Sequence, residues 1–265
     1  MANLPPQSPS MKKDESNSSV CSSSTDSTRM MYAKSLVIEL SNPDLRENAL
    51  TVLSKMTDLF QELAPVLWNS FGIIATFLQE IISIYPAIST PDLTPQQSAR
   101  VCNVLALLQC VASHPETKIS FLKANIPIYL YPYLRTTNNS APYEDLRLAS
   151  LGVIAATVKV KTREAIGFLL ASEVMPLCLQ SIEVGKELSK TVATFIVEKI
   201  LSDHVGMAYV CVIPERYHAV TRALDMLASA QNQPSSRLVK LLVSCYSYLS
   251  EKQVMFLPKT IPPPS

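Results

Sequence analysis

The sequence predicts an all-α solenoid of about five to six helical repeats wound into a right-handed superhelix. A helical segment with its apolar positions in the same order occurs three times, at residues 100–117, 147–162 and 188–201. Phe121 and Phe168 follow the first two copies at like positions, so the period is roughly 40–47 residues. A helical repeat of this length is typical of armadillo and HEAT-type proteins. Because one repeat cannot bury its apolar face alone, repeats stack and leave a long exposed groove.

Composition favours helices over other classes of structure. Of the 265 residues, 48% are apolar and 17% are charged, which is enough for a sizeable core. The five glycines lie singly and form no Gly-x-Gly, whereas nucleotide-binding turns and β-hairpins use several. The six cysteines form no Cys-x-x-Cys pair, which fits a reducing compartment, the cytosol or the nucleus. No apolar run approaches the ~18 residues of a transmembrane helix.

The chain divides into three regions by composition. Residues 1–31 are rich in serine and proline and predict a disordered tail, because they hold almost no large apolar side chains. Residues 32–250 carry the helical pattern and predict the repeat domain. Residues 251–265 contain four prolines and predict a C-terminal tail without regular structure.

The first helices are predicted from apolar spacing and from their end signals. Residues 33–56 predict two short helices separated at Asn42-Pro43-Asp44. Residues 63–86 keep helical spacing over about five turns, which predicts one long helix ending at Pro86. Thr94, followed by Pro95 and Gln97, predicts a capping box that starts the next helix, which His114-Pro115 closes.

The remaining helices are predicted by the same signals. They are expected at about 116–124, 127–134, 143–159, 163–171, 174–184, 187–202, 214–230 and 235–250, with a polar loop at 136–142. Glu144 and Asp145 are interpreted as acidic residues that interact with the positive end of a helix dipole.

The sequence contains few candidate catalytic residues. His114, His204 and His218 lie far apart, and His114 is expected to serve a structural role at a helix end. Asp203 and His204 are adjacent on a helix, so their side chains diverge by about 100° and cannot complete a triad with Ser202. No hydrolase or metal-ligand motif occurs, so we expect no enzyme activity, no cofactor and no metal.

Five strings in the chain closely resemble the cell-differentiation protein Rcd-one family, whose animal and yeast members are also called Caf-forty. The strings are NPDLRENAL (42–50), LAPVLWNSFG (63–72), FLQEI (77–81), QSARVCNVLALLQCVASHPET (97–117) and ELSKTVATFIVEKIL (187–201). The resemblance covers about residues 40–250. It implies an armadillo-type solenoid that is a non-catalytic subunit of the carbon catabolite repression–Not complex, which shortens mRNA poly(A) tails.

The resemblance implies a first binding surface, for the large Not scaffold subunit of that complex. The family motif Leu-Trp-His-Ser-Phe-Gly contacts the scaffold, and here it places Trp68, Asn69, Phe71 and Ala75 at the interface. Phe71 and Ala75 are retained, whereas Asn69 replaces the family's histidine. An asparagine keeps hydrogen-bonding groups but loses the ring area.

A second implied surface is a groove for short helical peptides of RNA-binding regulators. The family motif Phe-Glu-Tyr-Leu-Arg-Leu-Thr-Ser-Leu-Gly corresponds to residues 143–152. Gly152 and Val192 are retained, but Asp145 replaces the family's tyrosine. A carboxylate at this position opposes apolar burial.

A third implied surface accepts tryptophans of silencing proteins. The family's Tyr-Glu-Arg-Phe corresponds to residues 214–217, so Arg216 is retained and Pro214 replaces the aromatic residue. Val254 stands where the family has a second arginine, and the family's last repeat is absent or replaced. We therefore expect this surface to be inactive here.

The expected function is that of an adaptor which promotes mRNA decay and translational repression in the cytoplasm, including P-bodies, and in the nucleus. Expected partners are the Not scaffold and regulator peptides; a homodimer is left open, and no membrane is expected.

One alternative function is the binding of single-stranded nucleic acid in the groove. It requires a set of basic residues to converge on one face: Lys159, Lys161, Arg163, Lys186, Lys190 and Arg216. A net charge of +1 without a basic run predicts weak or no such binding. A second alternative is that the chain is a divergent paralogue that has lost complex binding.

Overall fold

The computed structural model describes residues 19–90, 92–160, 162–230 and 235–256. Every regular element in these ranges is an α-helix or a 3-10 turn, which confirms the all-α class. No single helix in the same ranges is long and apolar enough to cross a membrane, although two sharply bent helix pairs pass that test together by length and composition.

The described helices form five consecutive units along the chain. The first unit contains α1 (Ser19–Glu39) and α2 (Pro43–Leu53). After a 3-10 turn (Thr57–Leu59), the second contains α3 (Phe60–Asn69), α4 (Ile73–Ser83), α5 (Tyr85–Ser89) and α6 (Pro95–Ser113). The third contains α7 (Pro115–Lys123), a 3-10 turn (Ile126–Leu130), α8 (Tyr131–Arg135) and α9 (Ala141–Lys159). The fourth contains α10 (Arg163–Ala171), α11 (Val174–Val184) and α12 (Glu187–Leu201), and the fifth contains α13 (His204–Cys211), α14 (Pro214–Ala230) and α15 (Ser236–Phe256).

Corresponding helices of successive units pack side by side, as a solenoid requires. The last helices form one continuous layer in the order α6, α9, α12, α15, and the first three of them contain the repeated segments found in the sequence. The first helices α7, α10 and α13 form a second layer, and the middle helices α8, α11 and α14 form a third. Each unit therefore buries its apolar face mainly against its neighbours, which confirms the predicted helical solenoid.

Several predicted helix starts are confirmed by their hydrogen bonds. The Gln97 backbone N–H donates to the Thr94 hydroxyl at 3.2 Å, and the Thr94 N–H donates to the Gln97 side chain at 3.0 Å, which completes the capping box. Asn42 accepts from the Asp44 N–H at the start of α2. The His114 ring accepts from the Glu116 N–H at 3.3 Å, a structural role as expected, although at the start of α7 rather than at the end of α6.

The single long helix predicted at 63–86 is wrong. The chain turns between α3 and α4, and the two helical segments on either side form an angle of 93°. Gly72 adopts a left-handed backbone with φ of 79°, which residues with a side chain rarely adopt. The apolar spacing continues through the turn because Phe71 fits the periodicity, yet its side chain is fully exposed. Periodicity alone could not reveal this turn.

Three further boundaries differ from the sequence prediction. Helix α1 begins at Ser19 rather than near Tyr32, and residues 1–18 lie outside the described residues. An ion pair of 2.5 Å between Arg29 and Asp58 connects the start of α1 to the turn before the second unit.

Helix α15 continues past residue 250 to Phe256, while 257–265 lie outside the described residues. Helix α13 was missed because it is short; Asp203 caps it by accepting from the Val205 N–H.

A buried charge network joins α9 to the loop before it and to the start of α12. Arg147 is fully buried and pairs with Glu144. Its guanidinium also donates to the carbonyl oxygens of Thr136 and Asn138, each at 2.9 Å. The other Glu144 oxygen accepts from the Lys186 N–H at 2.8 Å. Glu144 was predicted as a charge at a helix end, but in the structure it is buried and its contacts connect two units.

Replacing Arg147 with methionine should lower the free energy of unfolding by about 3–5 kcal/mol, because the Glu144 carboxylate then remains buried without its partner. Urea unfolding followed by circular dichroism measures this change. Arg163 lies exposed at the start of the next unit, so Arg163→Met is the control and should change stability by less than about 0.5 kcal/mol. Similar stability losses in both variants would contradict the structural role of the network.

Candidate protein-binding surfaces

The turn between α3 and α4 presents the predicted scaffold-binding residues. Phe71 is 100% exposed, and Asn69 and Ala75 are also exposed. Phe71 lies in the turn just before α4, and Ala75 lies in the first turn of that helix. Trp68 is half-buried and packs against the core, so it supports the turn more than it offers a free ring. A fully exposed phenylalanine in a turn between two helices has the features of a partner anchor.

The side of α4 that carries Ala75 contains a residue that the sequence analysis missed. Ile82 is 44% exposed and lies seven residues after Ala75, which places both on one helix face. Together, Phe71, Ala75 and Ile82 form an apolar strip along α4, here called the α4 strip. The spacing of Ala75 and Ile82 was visible in the sequence, but the sequence analysis did not single out Ile82.

A charge network fixes α4 against its neighbours. The Glu80 carboxylate accepts from Arg100 Nε at 2.6 Å and Arg100 Nη2 at 2.9 Å, and from Arg46 Nη1 at 3.0 Å. These contacts tie α4 to α6 and α2. Burial acts to raise the pKa of Glu80, but the two arginines outweigh it and hold the pKa below its usual value. The α4 strip is therefore carried by a helix anchored on both sides.

Two of the residues predicted for the peptide groove, Gly152 and Val192, lie on the layer of α6, α9, α12 and α15. Gly152 and Val192 line one cavity of about 390 Å³, within the usual size of a binding pocket. Its lining residues are Phe60, Gln109, Cys110, Ser113, Gly152, Ala155, Ala156, Lys159, Val192, Phe195 and Arg237. A side chain at Gly152 would bring its Cβ to 3.0 Å from the end of the Gln109 side chain on α6, which would have to move away.

Asp145 lies outside the lining of this cavity but on the same side of α9. It precedes Gly152 by seven residues, or two helical turns, and its side chain is exposed. Burial raises the pKa of the neighbouring Cys102 thiol to about 11, and the charge of Asp145 adds to that rise. The carboxylate therefore faces the surface shared with α6, at some distance from Gly152 and Val192.

At the predicted tryptophan-binding surface, the retained arginine already has an aromatic partner. The Arg216 guanidinium carbon lies 3.8 Å from the centre of the Tyr209 ring, and Arg216 Nη1 donates to the Tyr209 carbonyl at 3.2 Å. Pro214 occupies the first position of α14, is exposed, and offers no aromatic ring. One face of the Arg216 guanidinium is therefore covered by the Tyr209 ring.

The basic residues proposed for nucleic-acid binding are distributed over several helices. Lys159 belongs to α9, Arg163 to α10 and Lys190 to α12, while Lys186 precedes α12. The Arg216 guanidinium lies against the Tyr209 ring, and Lys161 lies outside the described residues. No observation among these residues favours the nucleic-acid alternative.

The histidines do not come together into a site. The Asp203 carboxylate accepts from backbone N–H groups at the start of α13, and its nearest oxygen is 3.9 Å from His204 Nδ1. The His204 side chain is 76% exposed. His218 lies on α14, in a different helix from His114 and His204. Within the described ranges, no group of three or more His, Cys, Asp and Glu side chains is placed to hold a metal ion.

Comparison with known proteins gives a consistent set of relatives. The model of the cell differentiation family, Rcd1-like, matches residues 36–262. The cell differentiation protein rcd1 of Schizosaccharomyces pombe is 50% identical over 216 residues, which are 81% of this chain and 76% of that protein. Protein CAF40 of Saccharomyces cerevisiae is 48% identical over 217 residues, which are 81% of this chain and 58% of that protein. Neither name denotes an enzyme.

The charge network around Glu80 predicts a pH-dependent stability. Glu80→Gln should destabilise the protein by about 2 kcal/mol at neutral pH, since charged hydrogen bonds to Arg46 and Arg100 are lost. Because the pKa of Glu80 is lower in the folded state, the difference in free energy of unfolding between the unaltered protein and Glu80→Gln should have its full value above pH ~4.3. This difference should shrink as the pH falls through the lower, folded pKa. Urea unfolding of both proteins between neutral and acidic pH measures it; a difference independent of pH would contradict the ion-pair explanation.

The tryptophan-binding surface is predicted to be inactive. A tryptophan-bearing peptide titrated against the purified protein should show no saturable binding in the micromolar range. Loss of the two family contacts, at about 1 kcal/mol each, would weaken such a site more than tenfold. Isothermal calorimetry tests this, with Arg216→Ala as the matched variant. Saturable binding that Arg216→Ala abolishes would show that the surface is functional.

Proposed function

Since this chain belongs to the cell differentiation family, Rcd1-like, we propose that it is a non-enzymatic adaptor subunit of the carbon catabolite repression–Not deadenylation complex. It docks on the large Not scaffold subunit through the α4 strip and holds short regulator peptides in the groove at Gly152 and Val192. In this role it promotes mRNA decay and translational repression in the cytoplasm, including P-bodies, and in the nucleus.

The observation that carries the proposal is the complete exposure of Phe71. Burying a fully exposed phenylalanine against a partner removes apolar area from water at about 25 cal/mol per Å². The left-handed backbone of Gly72 sets the turn from which the Phe71 ring projects into solvent. Ala75 leaves room beside the ring for a partner side chain, and Ile82 extends the apolar contact. Asn69 borders the strip and supplies an exposed amide for a rim hydrogen bond.

An adaptor role also fits the distribution of polar groups. The buried charged groups Glu80, Glu144 and Arg147 form ion pairs and hydrogen bonds that hold helices of the solenoid together. The exposed apolar residues lie on helix faces that can receive other proteins. This arrangement supports binding rather than catalysis.

The scaffold interaction gives a direct test. Phe71→Ala should reduce recovery of the Not scaffold and the deadenylases with the tagged protein by tenfold or more, since truncating an interface anchor costs about 2 kcal/mol or more. The fold should not change, because Phe71 makes no buried contact. Co-purification from cells followed by quantitative mass spectrometry measures the recovery.

The matched control is Ile38→Ala, which removes another exposed apolar side chain, 76% exposed, from α1. It should leave recovery unchanged. If the unaltered protein recovers neither the scaffold nor the deadenylases, the proposal is wrong and a paralogue that has lost complex binding is the better explanation.

A further inference from the structure

The groove at Gly152 and Val192 combines apolar walls with two cations. Phe60, Ala155, Ala156, Val192 and Phe195 supply much of the apolar lining. Lys159, the last residue of α9, and Arg237, in the first turn of α15, reach the same cavity from two different repeats. The two cations therefore lie on either side of α12, which carries Val192 and Phe195.

Both cations lack a counter-ion within the described part of the chain. Lys159 and Arg237 are exposed and take part in none of its ion pairs. Lys199 shows the contrast, because it pairs with Glu198 at 3.1 Å and lies 5.2 Å from the centre of the Phe195 ring. Two uncompensated positive charges beside apolar side chains favour a partner that brings both apolar and acidic groups.

A charge of opposite sign lies further along the same surface. Asp145 precedes Lys159 by fourteen residues on α9, about 21 Å along the helix axis. Its carboxylate is exposed and forms none of the ion pairs within the described residues. The concave surface thus has an acidic position at the start of α9 and basic positions around the cavity.

From this distribution we infer that the groove selects an amphipathic peptide helix whose apolar anchor is flanked by carboxylates. The anchor enters the cavity between Gly152 and Val192, and the carboxylates pair with Lys159 and Arg237. A basic residue of the same peptide pairs with Asp145. The inference rests on the proposed adaptor function and specifies the chemical class of its regulator peptides.

A peptide fits this surface better than a nucleic acid does. Single-stranded nucleic acid needs a row of cations that follows its phosphates, whereas this cavity offers Lys159 and Arg237 between apolar side chains. Asp145 would repel a phosphate backbone at the other end of α9. An amphipathic helix, in contrast, inserts apolar side chains into a groove and keeps its charges at the rim.

The test uses a labelled amphipathic peptide of about five turns, with Leu and Phe spaced three and four residues apart to form one apolar face. Three versions carry Glu, Lys or Gln at the same four positions beside the apolar face. Fluorescence anisotropy with the full chain should show that the Glu version binds about tenfold more tightly than the Lys version at low salt. The ratio should decrease as salt screens the charges.

Charge reversal identifies the residues responsible. Lys159→Glu combined with Arg237→Glu should invert the preference, so that the Lys version binds more tightly. Lys34→Glu combined with Lys123→Glu changes net charge equally at exposed sites on α1 and α7, and should keep the original preference. Asp145→Lys should strengthen binding of the Glu version by about two- to fivefold.

Equal binding of the three peptides, preference for the Lys version, or no binding of any version would overturn the inference. Tighter binding of a twelve-nucleotide oligo(dT) than of the Glu peptide would assign the groove to nucleic acid instead. These outcomes leave the α4 strip untouched, so recovery of the Not scaffold with the unaltered protein still tests the proposed function separately.

Discussion

The stacking of the last helix of each repeat is the constraint on which the rest of the structure depends. Helices α6, α9, α12 and α15 bury one face against their own repeats and their sides against each other. Gly152 lies where α6 and α9 meet, and a side chain there would come close to the end of the Gln109 side chain. The remaining faces of these helices form the concave surface, so its chemistry is decided by whichever residues the packing leaves free.

Apolar stacking alone would let the repeats slide, and buried charges fix their positions. Arg147 and Glu144 connect α9, the loop before it and the start of α12, while Glu80 connects α4 to α2 and α6. Burying such groups is costly unless each is paired, so each network is satisfied in one arrangement of its helices. The Glu80 network also holds the α4 strip, which links the geometry of the proposed docking surface to the core.

The solenoid could be predicted from the sequence because its signals are local. Apolar periodicity marked α6, α9 and α12, and Thr94 with Gln97 marked the start of α6. The turn at Gly72 was missed because periodicity continues across it, and it shows only in the backbone angle. Among the candidate sites, individual residues such as Phe71 could be named from the resemblance, but its exposure could not. The contact of Arg216 with Tyr209 and the common cavity of Lys159 and Arg237 depend on tertiary packing, for which the sequence carries no local signal.

Three of the positions at which this chain departs from the family pattern share one physical property. Asn69, Asp145 and Pro214 are all exposed, and Pro214 stands at the first position of α14, where a missing N–H costs nothing. None of them alters the buried layer of α6, α9 and α12, so packing places no constraint on these substitutions. Partner selectivity can therefore change at these sites while stability stays the same. Asp145 illustrates this, because one exposed carboxylate changes the charge pattern of the concave surface without disturbing the helix that carries it.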